Sequence, residues 1–335
     1  MPADRIAPAP GPALHVAAEA SLAALATLQP SSFFHTAAWH DVVQRAWPRY
    51  RPFALVARDA AGVVQGACAF AAVRRLRLLR LYAGPLGTYG GVLARHAAAA
   101  VALAQAMVAL GGERKLALVR VHDFDGSTAR LVQDTPRWRS WRETCQVLDL
   151  PEDPQTLFQQ AFTSQNRNKI RKAEKAGVQV RCGRDAAALH IYASLYRSAL
   201  PRFGVRHPLP DSLFTALAGM DGVQVWIAER EGLAIAALLN LRGGGQIMNW
   251  GNVSRPDAWA DAPNNLLHWR ALEAGCRDAQ GPRLYNFGGS AGLPGVHAFK
   301  ASFGAREHEV LRLEFRAPWL DWASRRFPLL GRVGS

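Results

Sequence analysis

Two short segments decide the fold of this chain: Val56-Ala-Arg-Asp-Ala-Ala-Gly62 and Ile227-Ala-Glu-Arg-Glu-Gly232. Each leaves a β-rich run, passes through a polar turn that contains glycine and enters a second apolar run, which continues to Val73 in the first copy and to Leu241 in the second. This pattern is typical of a β-hairpin. The two copies lie 171 residues apart in a chain of 335 residues, so the sequence predicts a duplicated domain.

The same order of predicted elements follows each hairpin. After the first come a strand, a loop, a helix and another strand, the regular elements being predicted at Leu78–Ala83, Ala97–Leu110 and Lys115–His122. After the second comes the same succession, predicted at Gln246–Gly251, Asn264–Asp278 and Arg283–Phe287. Both helices have the i, i+3, i+4 apolar spacing that packs a helix on a sheet. The sequence therefore predicts an α/β (α+β) fold with mixed sheets flanked by helices.

The composition bounds the classes of protein to consider. Hydrophobic residues make up 49% of the chain, enough for two cores, and the longest apolar stretches are shorter than the roughly 20 residues of a membrane-spanning helix. Lysine and arginine number 40 against 26 aspartate and glutamate residues, which gives a formal net charge of +14. This excess favours anionic partners such as phosphates, nucleic acid or anionic lipid head groups, and it does not choose among them.

Cysteine and histidine residues give no metal-binding pattern. The four cysteines lie far apart and lack the close pairs of a zinc site or a redox dithiol. His35 and His40 are five residues apart, which turns them away from each other on a helix. We therefore expect no metal site.

The sequence predicts a disordered segment at the beginning of the chain and a helix at its end. Residues 1–12 have no basic region that leads into an apolar run, so we expect a disordered lead rather than a secretory signal, and a cytoplasmic protein. Residues 317–335 combine aromatic residues with arginines and predict an amphipathic C-terminal helix, which could dock on a domain or lie on the inner membrane surface.

A basic helix is predicted between the two halves of the chain. The helix covers residues 164–177 and ends at Gly177, a typical C-cap glycine. From Ser164 to Arg184 there are seven basic residues and one acidic residue. Such a surface could bind phosphates, or it could be an ordinary solvated helix face.

Three motifs in the second half carry a resemblance to a known family. They are Pro263-Asn-Asn-Leu-Leu-His-Trp-Arg270, Leu284-Tyr-Asn-Phe-Gly-Gly-Ser290 and Phe299-Lys-Ala-Ser-Phe-Gly-Ala305. With Phe33-Phe-His-Thr-Ala-Ala-Trp39 and Tyr89-Gly-Gly91 in the first half, they occur in the order found in the FemAB family. The chain resembles this family, and the wider group of GNAT-type acyltransferases, over roughly residues 30–315.

The resemblance implies an architecture and an activity. The architecture is two tandem GNAT-like domains flanking a central cleft, which we place at residues 13–150 and 151–316. The activity is transfer of an aminoacyl or acyl group from an activated donor to an amine in cell-envelope, peptidoglycan or exopolysaccharide biosynthesis. The resemblance implies no permanently bound cofactor; the co-substrate is acyl-CoA or aminoacyl-tRNA. The acceptor is a phosphate-bearing small molecule or a lipid-linked molecule.

Two other functions stay open at this point. One is an acyl-CoA-dependent N-acyltransferase of an amino sugar or small amine. The other is a non-catalytic module that binds nucleic acid or anionic lipid. Two departures from the family pattern put a muropeptide acceptor in doubt, because Val43 stands where some members have a phosphate-binding lysine and Asn286 stands where many have aspartate. The Gly-containing loop that holds CoA pyrophosphate in ordinary GNAT enzymes is also missing.

Five residues are the candidates for the site. By the resemblance, Lys300 stabilises the oxyanion of acyl transfer, with Phe299 beside it; the alternative is a surface lysine. Arg202 matches an arginine that meets acceptor phosphates, and the alternative is an exposed helix-end arginine. Tyr89 and Asn264 are further substrate-binding candidates, although an asparagine at a helix start ordinarily caps the helix. We find no Ser-His-Asp or Cys-His pattern, so we expect direct attack by the acceptor amine.

Overall fold

The computed structural model describes residues 14–75, 77–113, 115–132, 134–204, 207–279 and 281–319. The chain divides into two compact units. The first consists of residues 1–29, 49–141 and 311–335, and the second of residues 30–48 and 142–310. The predicted lead at 1–12 and all but the first three residues of the predicted C-terminal helix lie outside the described residues.

The regular elements follow one another along the chain as alternating groups of strands and helices. The strands are β1 (His15–Glu19), β2 (Tyr50–Arg58), β3 (Val64–Arg75), β4 (Leu78–Ala83), β5 (Val92–Ala94), β6 (Leu116–Asp123), β7 (Trp138–Asp149), β8 (Gln179–Gly183), β9 (Val223–Arg230), β10 (Leu233–Gly243), β11 (Gln246–Ser254), β12 (Leu284–Asn286) and β13 (Arg306–Arg316). The helices are α1 (Ala37–Ala46), α2 (Ala97–Ala109), α3 (Ser127–Val132), α4 (Pro154–Thr156), α5 (Ser164–Lys175), α6 (Ala186–Phe203), α7 (Asp211–Leu217), α8 (Pro263–Arg277) and α9 (Pro294–Ala301).

The first unit is built on a mixed sheet in the order β1-β2-β3-β4-β6, completed by the end of β13. The pair β4–β6 is parallel, whereas β1–β2, β2–β3, β3–β4 and β6–β13 are antiparallel. Helix α2 packs on β2 and β3, and its Leu103 and Met107 are fully buried. Phe70, Leu81 and Phe315 belong to the same core, which is therefore closed only when β13 is in place.

The second unit repeats this plan. Its sheet has the order β8-β9-β10-β11-β12, completed by β7 from residue 142 onwards, and only β11–β12 is parallel. Helices α5 and α8 share a core in which Trp269, Tyr285 and Phe303 are buried. The basic helix predicted at 164–177 is confirmed as α5, and Gly177 has the left-handed φ of 75° expected after a helix end.

The segment 30–48 belongs to the second unit, where its aromatic motif is a packing element. A Cβ atom on Gly244 would lie 2.2 Å from the carbonyl carbon of Ser31, and one on Gly243 would lie 2.8 Å from Cα of Phe33. The ring of Trp39 is fully buried and stands edge-on to Trp250 at 5.5 Å. Two glycines of the β10–β11 turn therefore give backbone room to this segment.

Both predicted hairpins are confirmed, as β2–β3 and β9–β10, and the strand, helix and parallel strand that follow each one are confirmed as well. The unit boundaries differ from the predicted domain boundaries at 150 and 316. Apart from segment 30–48, the chain passes into the second unit between residues 141 and 142, inside β7, and returns to the first between 310 and 311, inside β13. The sequence carries no signal of such a passage, because each strand continues through it without a turn, and the nearby Pro151 and Pro154 come after the end of β7.

No helix in the described ranges is both long and apolar enough to cross a membrane.

Candidate active site

The candidate site begins where the two parallel strands of the second unit separate. β11 and β12 pair at only three positions, the last of which joins Met248 to Asn286. β11 then continues beside β10 as far as Ser254, past an irregularity between Leu239 and Asn240, while β12 ends. In open α/β sheets, ligands bind outside the carboxyl ends of the strands. A substrate site is therefore expected where β11 and β12 separate.

Lys300 lies at this end of β12. Its ammonium group donates hydrogen bonds to the carbonyl oxygens of Gly288 and Gly289, both at 2.8 Å, and the residue is 6% exposed. Burial lowers the pKa of Lys300 to about 8. An ammonium group has three N–H bonds, and in the described part of the chain two of those of Lys300 have partners. The alternative of a surface lysine is wrong, since α9 turns this side chain inward at its last turn.

Phe299 is partly buried beside Lys300. Its ring lies 5.4 Å from the ring of His268 and 5.3 Å from that of Phe303. These contacts give Phe299 a packing role that fixes the end of α9.

His268 is a buried polar residue that the sequence analysis missed. Its Nε2 faces the amide nitrogen of Asn252 at 3.2 Å, and its Nδ1 faces the hydroxyl of Tyr285 at 3.2 Å. Tyr285 donates to Oδ1 of Asn240 at 3.3 Å, so the hydroxyl accepts from His268 and the imidazole proton lies on Nδ1. Burial, and then the charge of Lys300, lowers the pKa of His268 to about 3, which keeps the ring neutral.

Three polar atoms around this network are buried and have no hydrogen-bond partner among the residues that the structure describes. They are Nδ2 of Asn240, Oδ1 of Asn252 and Oδ1 of Asn264. Buried polar atoms are usually paired, so this group retains one donor and two acceptors next to the separated strands. In the sequence, the sign of this polar group is one asparagine, Asn240, inside the apolar run of β10 and one histidine, His268, on the apolar face of α8.

Arg202 and Asn264 meet at the end of β11. Arg202 donates to the carbonyl oxygen of Ser254 at 2.9 Å, and the amide of Asn264 donates to the Ser254 hydroxyl at 3.1 Å. The guanidinium of Arg202 also lies 5.1 Å from the centre of the exposed Trp259 ring. The capping interpretation of Asn264 is wrong, because α8 begins at Pro263 after Ala262 and has no side-chain cap.

Tyr89 lies in the first unit, whereas the other four candidates lie in the second. Its ring is 5% exposed and packs 4.9 Å from Phe124. The loop around it folds back on β6: the backbone N–H of Gly90 donates to the backbone carbonyl oxygen of His122 at 2.8 Å, and a Cβ on Gly84 would lie 2.3 Å from the carbonyl oxygen of Thr88. In the first unit, therefore, the chain's own loop occupies the carboxyl end of the parallel pair.

Two other features lie apart from the candidate site. Val43 is buried in α1, and the nearby Arg45 forms an ion pair with Asp41 at 2.6 Å. A cavity of about 620 Å³ in the second unit is lined by Gly245 and Pro282, which precede β11 and β12, so it lies at the opposite end of the parallel pair from Lys300.

Comparison with known families identifies the domain that holds these residues. Residues 160–301 match the model of the acetyltransferase (GNAT) domain, a range that includes Arg202, Asn264, Phe299 and Lys300. The second unit therefore holds an acetyltransferase (GNAT) domain. The matched range contains both strands of the separated parallel pair, β11 and β12, and the four candidates that lie in the second unit.

The fold of the whole chain is similar to that of several solved structures. FemX is 13% identical over 87% of this chain and 93% of its own, with a TM-score of 0.69. The C-terminal domain of a putative lysylphosphatidylglycerol synthetase from Agrobacterium fabrum is 11% identical over 91% and 94%, with a TM-score of 0.61. L-PGS from Bacillus licheniformis is 13% identical over 94% and 98%, with a TM-score of 0.56.

These identities show the fold alone. A search of curated protein sequences found no match. The family match over residues 160–301 supports an acyltransferase, and the solved structures show that the whole chain shares their fold.

Proposed function

We propose that the GNAT domain transfers an acyl or aminoacyl group from an activated donor to an amine, with Lys300 stabilising the oxyanion of the tetrahedral intermediate. The observation that carries the proposal is the placement of the Lys300 ammonium by two consecutive backbone carbonyls where β12 ends. A donor fixed in this way needs no reorganisation when negative charge develops.

The chemistry follows from that placement. The amine nitrogen attacks the carbonyl carbon of the acyl group, and the carbonyl oxygen takes up negative charge. The N–H bond of Lys300 that is not directed at Gly288 or Gly289 stabilises this oxygen. When the intermediate collapses, the leaving group departs with its bonding electron pair and takes up the proton that the amine loses. His268 is neutral and bonded on both nitrogens, so its role is to hold Asn252 rather than to exchange protons.

Arg202 is the proposed anchor for a phosphate on the acceptor. Its planar guanidinium suits bidentate phosphate binding, and its contacts with Ser254 and Trp259 hold it at the end of β11. Asn264 shares the Ser254 contact and is the second proposed acceptor-binding residue. Tyr89 stays a proposal on the resemblance alone. We propose a phosphate-bearing or lipid-linked acceptor of the cell envelope or of exopolysaccharide, in keeping with a fold neighbour named for lysylphosphatidylglycerol.

The proposed donor is acyl-CoA, the usual co-substrate of GNAT domains. The loop between β11 and α8, residues 255–262, contains no glycine, and its two carboxylates form ion pairs, Asp257 with Arg255 and Asp261 with Arg230. This loop differs from the Gly-containing loop that holds pyrophosphate in ordinary GNAT enzymes, so aminoacyl-tRNA is kept as the second donor to test.

The test is a donor and acceptor panel. Mass spectrometry first identifies small molecules that remain bound through purification. The full chain is then incubated with acyl-CoA species or aminoacyl-tRNA and with amine acceptors that do or do not carry phosphate, and products are detected by mass. We expect an amide product with a phosphate-bearing acceptor. Hydrolysis of the donor without amide formation across the panel would contradict the proposal.

A further inference from the structure

We propose that the second unit docks on an anionic bilayer surface through two exposed features of α5 and α9. The basic face consists of Lys169, Lys172 and Lys175, and the apolar tip consists of Leu293 and Val296. This goes beyond acyl transfer and can be true or false independently of it, because docking requires no turnover.

The basic face holds three of the five lysines in the chain. They are spaced three residues apart on α5, which places them on one side of the helix, and all three are exposed. The one acidic residue of α5, Glu174, pairs with Arg270 of α8 at 2.9 Å. Among the residues that the structure describes, none of the three lysines forms an ion pair. The result is a concentrated positive charge that an anionic surface complements.

The apolar tip is the exposed beginning of α9. Residues 291–298 are all exposed, with Leu293 57% and Val296 38% exposed. Single exposed apolar residues are normal, but these two stand three residues apart, with Leu293 directly before α9 and Val296 in its first turn. Within residues 291–298, His297 is the one ionisable side chain, and it contacts Glu307 at 3.0 Å. The tip is thus an aliphatic projection without charge of its own.

One joint connects the two features. The backbone N–H of Thr163 and the side-chain amide of Asn166, at the start of α5, both donate to the carbonyl oxygen of Ser302, at 2.9 and 3.2 Å. Ser302 directly follows α9, whose eight residues span about 12 Å. The end of α9 is therefore hydrogen-bonded to the beginning of α5, so the tip and the basic face belong to two helices that are joined within the second unit.

A bilayer fits this combination better than nucleic acid does. Phosphates alone would satisfy the lysines, but single-stranded nucleic acid also stacks its bases on aromatic side chains, and the tip is aliphatic. A bilayer offers anionic head groups for lysines and apolar depth for leucine and valine at the same surface.

The experiment is co-sedimentation of the full chain with phosphatidylcholine vesicles that contain or lack phosphatidylglycerol. We expect binding only with phosphatidylglycerol, and weaker binding at higher salt. Replacing Lys169, Lys172 and Lys175 by glutamine should weaken binding about 100-fold, at about fivefold for each lysine near the surface. The matched control replaces Arg51, Arg74 and Arg139 of the first unit by glutamine, which removes the same charge and should change affinity by less than about fivefold.

The apolar tip is tested by the double change Leu293→Ser and Val296→Ser, which should weaken vesicle binding about tenfold or more. Thermal unfolding and circular dichroism check that each variant is folded. Equal losses in the lysine variant and its arginine control, unchanged binding by the serine variant, or no binding to phosphatidylglycerol would each overturn the proposal. If the three lysines were required for binding a single-stranded RNA and the protein did not bind vesicles, the basic face would be a nucleic-acid site. That result would also overturn the bilayer proposal.

Discussion

At the scale of single residues, burial decides which titratable groups change their properties. The motif makes Lys300 a candidate site residue, but its two carbonyl contacts could not be predicted, because they depend on how α9 meets the end of β12. His268 was missed for the same reason: a histidine on an apolar helix face has no local sign of the partners that Asn252 and Tyr285 provide.

The pKa of Lys300 predicts a pH dependence of catalysis. Because burial lowers this pKa to about 8, the ammonium loses its proton, and with it the oxyanion donor, as pH rises through about 8. We expect kcat measured across pH with a saturating acceptor to fall above that value. In Lys300→Arg the side chain stays charged, so the remaining activity should show no such fall. A wild-type rate that stays level from pH 7 to pH 10 would contradict the role.

Asp123 predicts a pH dependence of stability in the first unit. It lies in Val121-His-Asp-Phe-Asp-Gly-Ser127, which matches Leu284-Tyr-Asn-Phe-Gly-Gly-Ser290 and has Asp123 in the place of Asn286. Burial raises the pKa of Asp123 to about 7, although the N–H of Ala129 donates to its carboxyl at 2.7 Å. The folded state therefore holds this proton more tightly than the unfolded state, and stability is lost as pH rises from the unfolded value of about 4 to about 7.

The change Asp123→Asn tests this reasoning. Urea unfolding of the wild type should show a loss of about 2 to 3 kcal/mol between pH 5 and pH 8 that is absent in the variant. Asparagine keeps the side-chain oxygen that accepts from Ala129, so the variant should fold. Parallel pH curves for the two proteins would show that Asp123 is not the group responsible.

At the scale of elements, local signals predicted the hairpins and helices well, because turn residues and apolar spacing act over a few residues. The docking of segment 30–48 on the β10–β11 turn was not predicted, since the two lie about 200 residues apart in sequence and glycine runs are typical of any turn. The run Arg242-Gly-Gly-Gly245 contains both kinds of glycine: one that a distant segment contacts closely and one that only the conformation of the turn requires.

Gly244 and Gly245 provide a matched pair of variants. Both have positive φ, 60° and 77°, but a Cβ on Gly244 would overlap the backbone of Ser31 and Ser32, whereas one on Gly245 would have no described atom within 4 Å. We expect Gly245→Ala to cost about 1 kcal/mol from backbone strain and Gly244→Ala to cost about 3 kcal/mol or more. Urea unfolding at constant pH measures both. Equal costs would show that segment 30–48 does not press on Gly244.

At the scale of the whole molecule, each sheet is completed by a strand that the sequence repeat assigns to the other half. Leu313 and Phe315 of β13 are buried in the core of the first unit, and Val147 and Leu148 of β7 are buried in the second. The duplication was visible in sequence because it repeats local patterns, but the exchange of last strands was not, because strand pairing leaves no local mark.

This exchange predicts how fragments behave. Residues 151–316 alone would lack β7 and segment 30–48, which leaves an edge of β12 and the β10–β11 turn uncovered. We expect that fragment to give no cooperative unfolding transition by circular dichroism, while the full chain does. A cooperative transition in the fragment would mean that the second unit does not need these pieces.

The central claim is that Lys300 stabilises the transition state of acyl transfer, and its most direct test is the turnover of Lys300→Met once a donor and acceptor pair is known. Loss of one oxyanion donor typically lowers kcat about 100- to 1,000-fold, with little change in acceptor affinity. The matched control is Lys115→Met, an exposed lysine of the first unit that should turn over like the wild type. Thermal unfolding must show that the Lys300 variant is folded, since it leaves the carbonyls of Gly288 and Gly289 without this donor. A folded Lys300→Met protein with wild-type kcat would contradict the account.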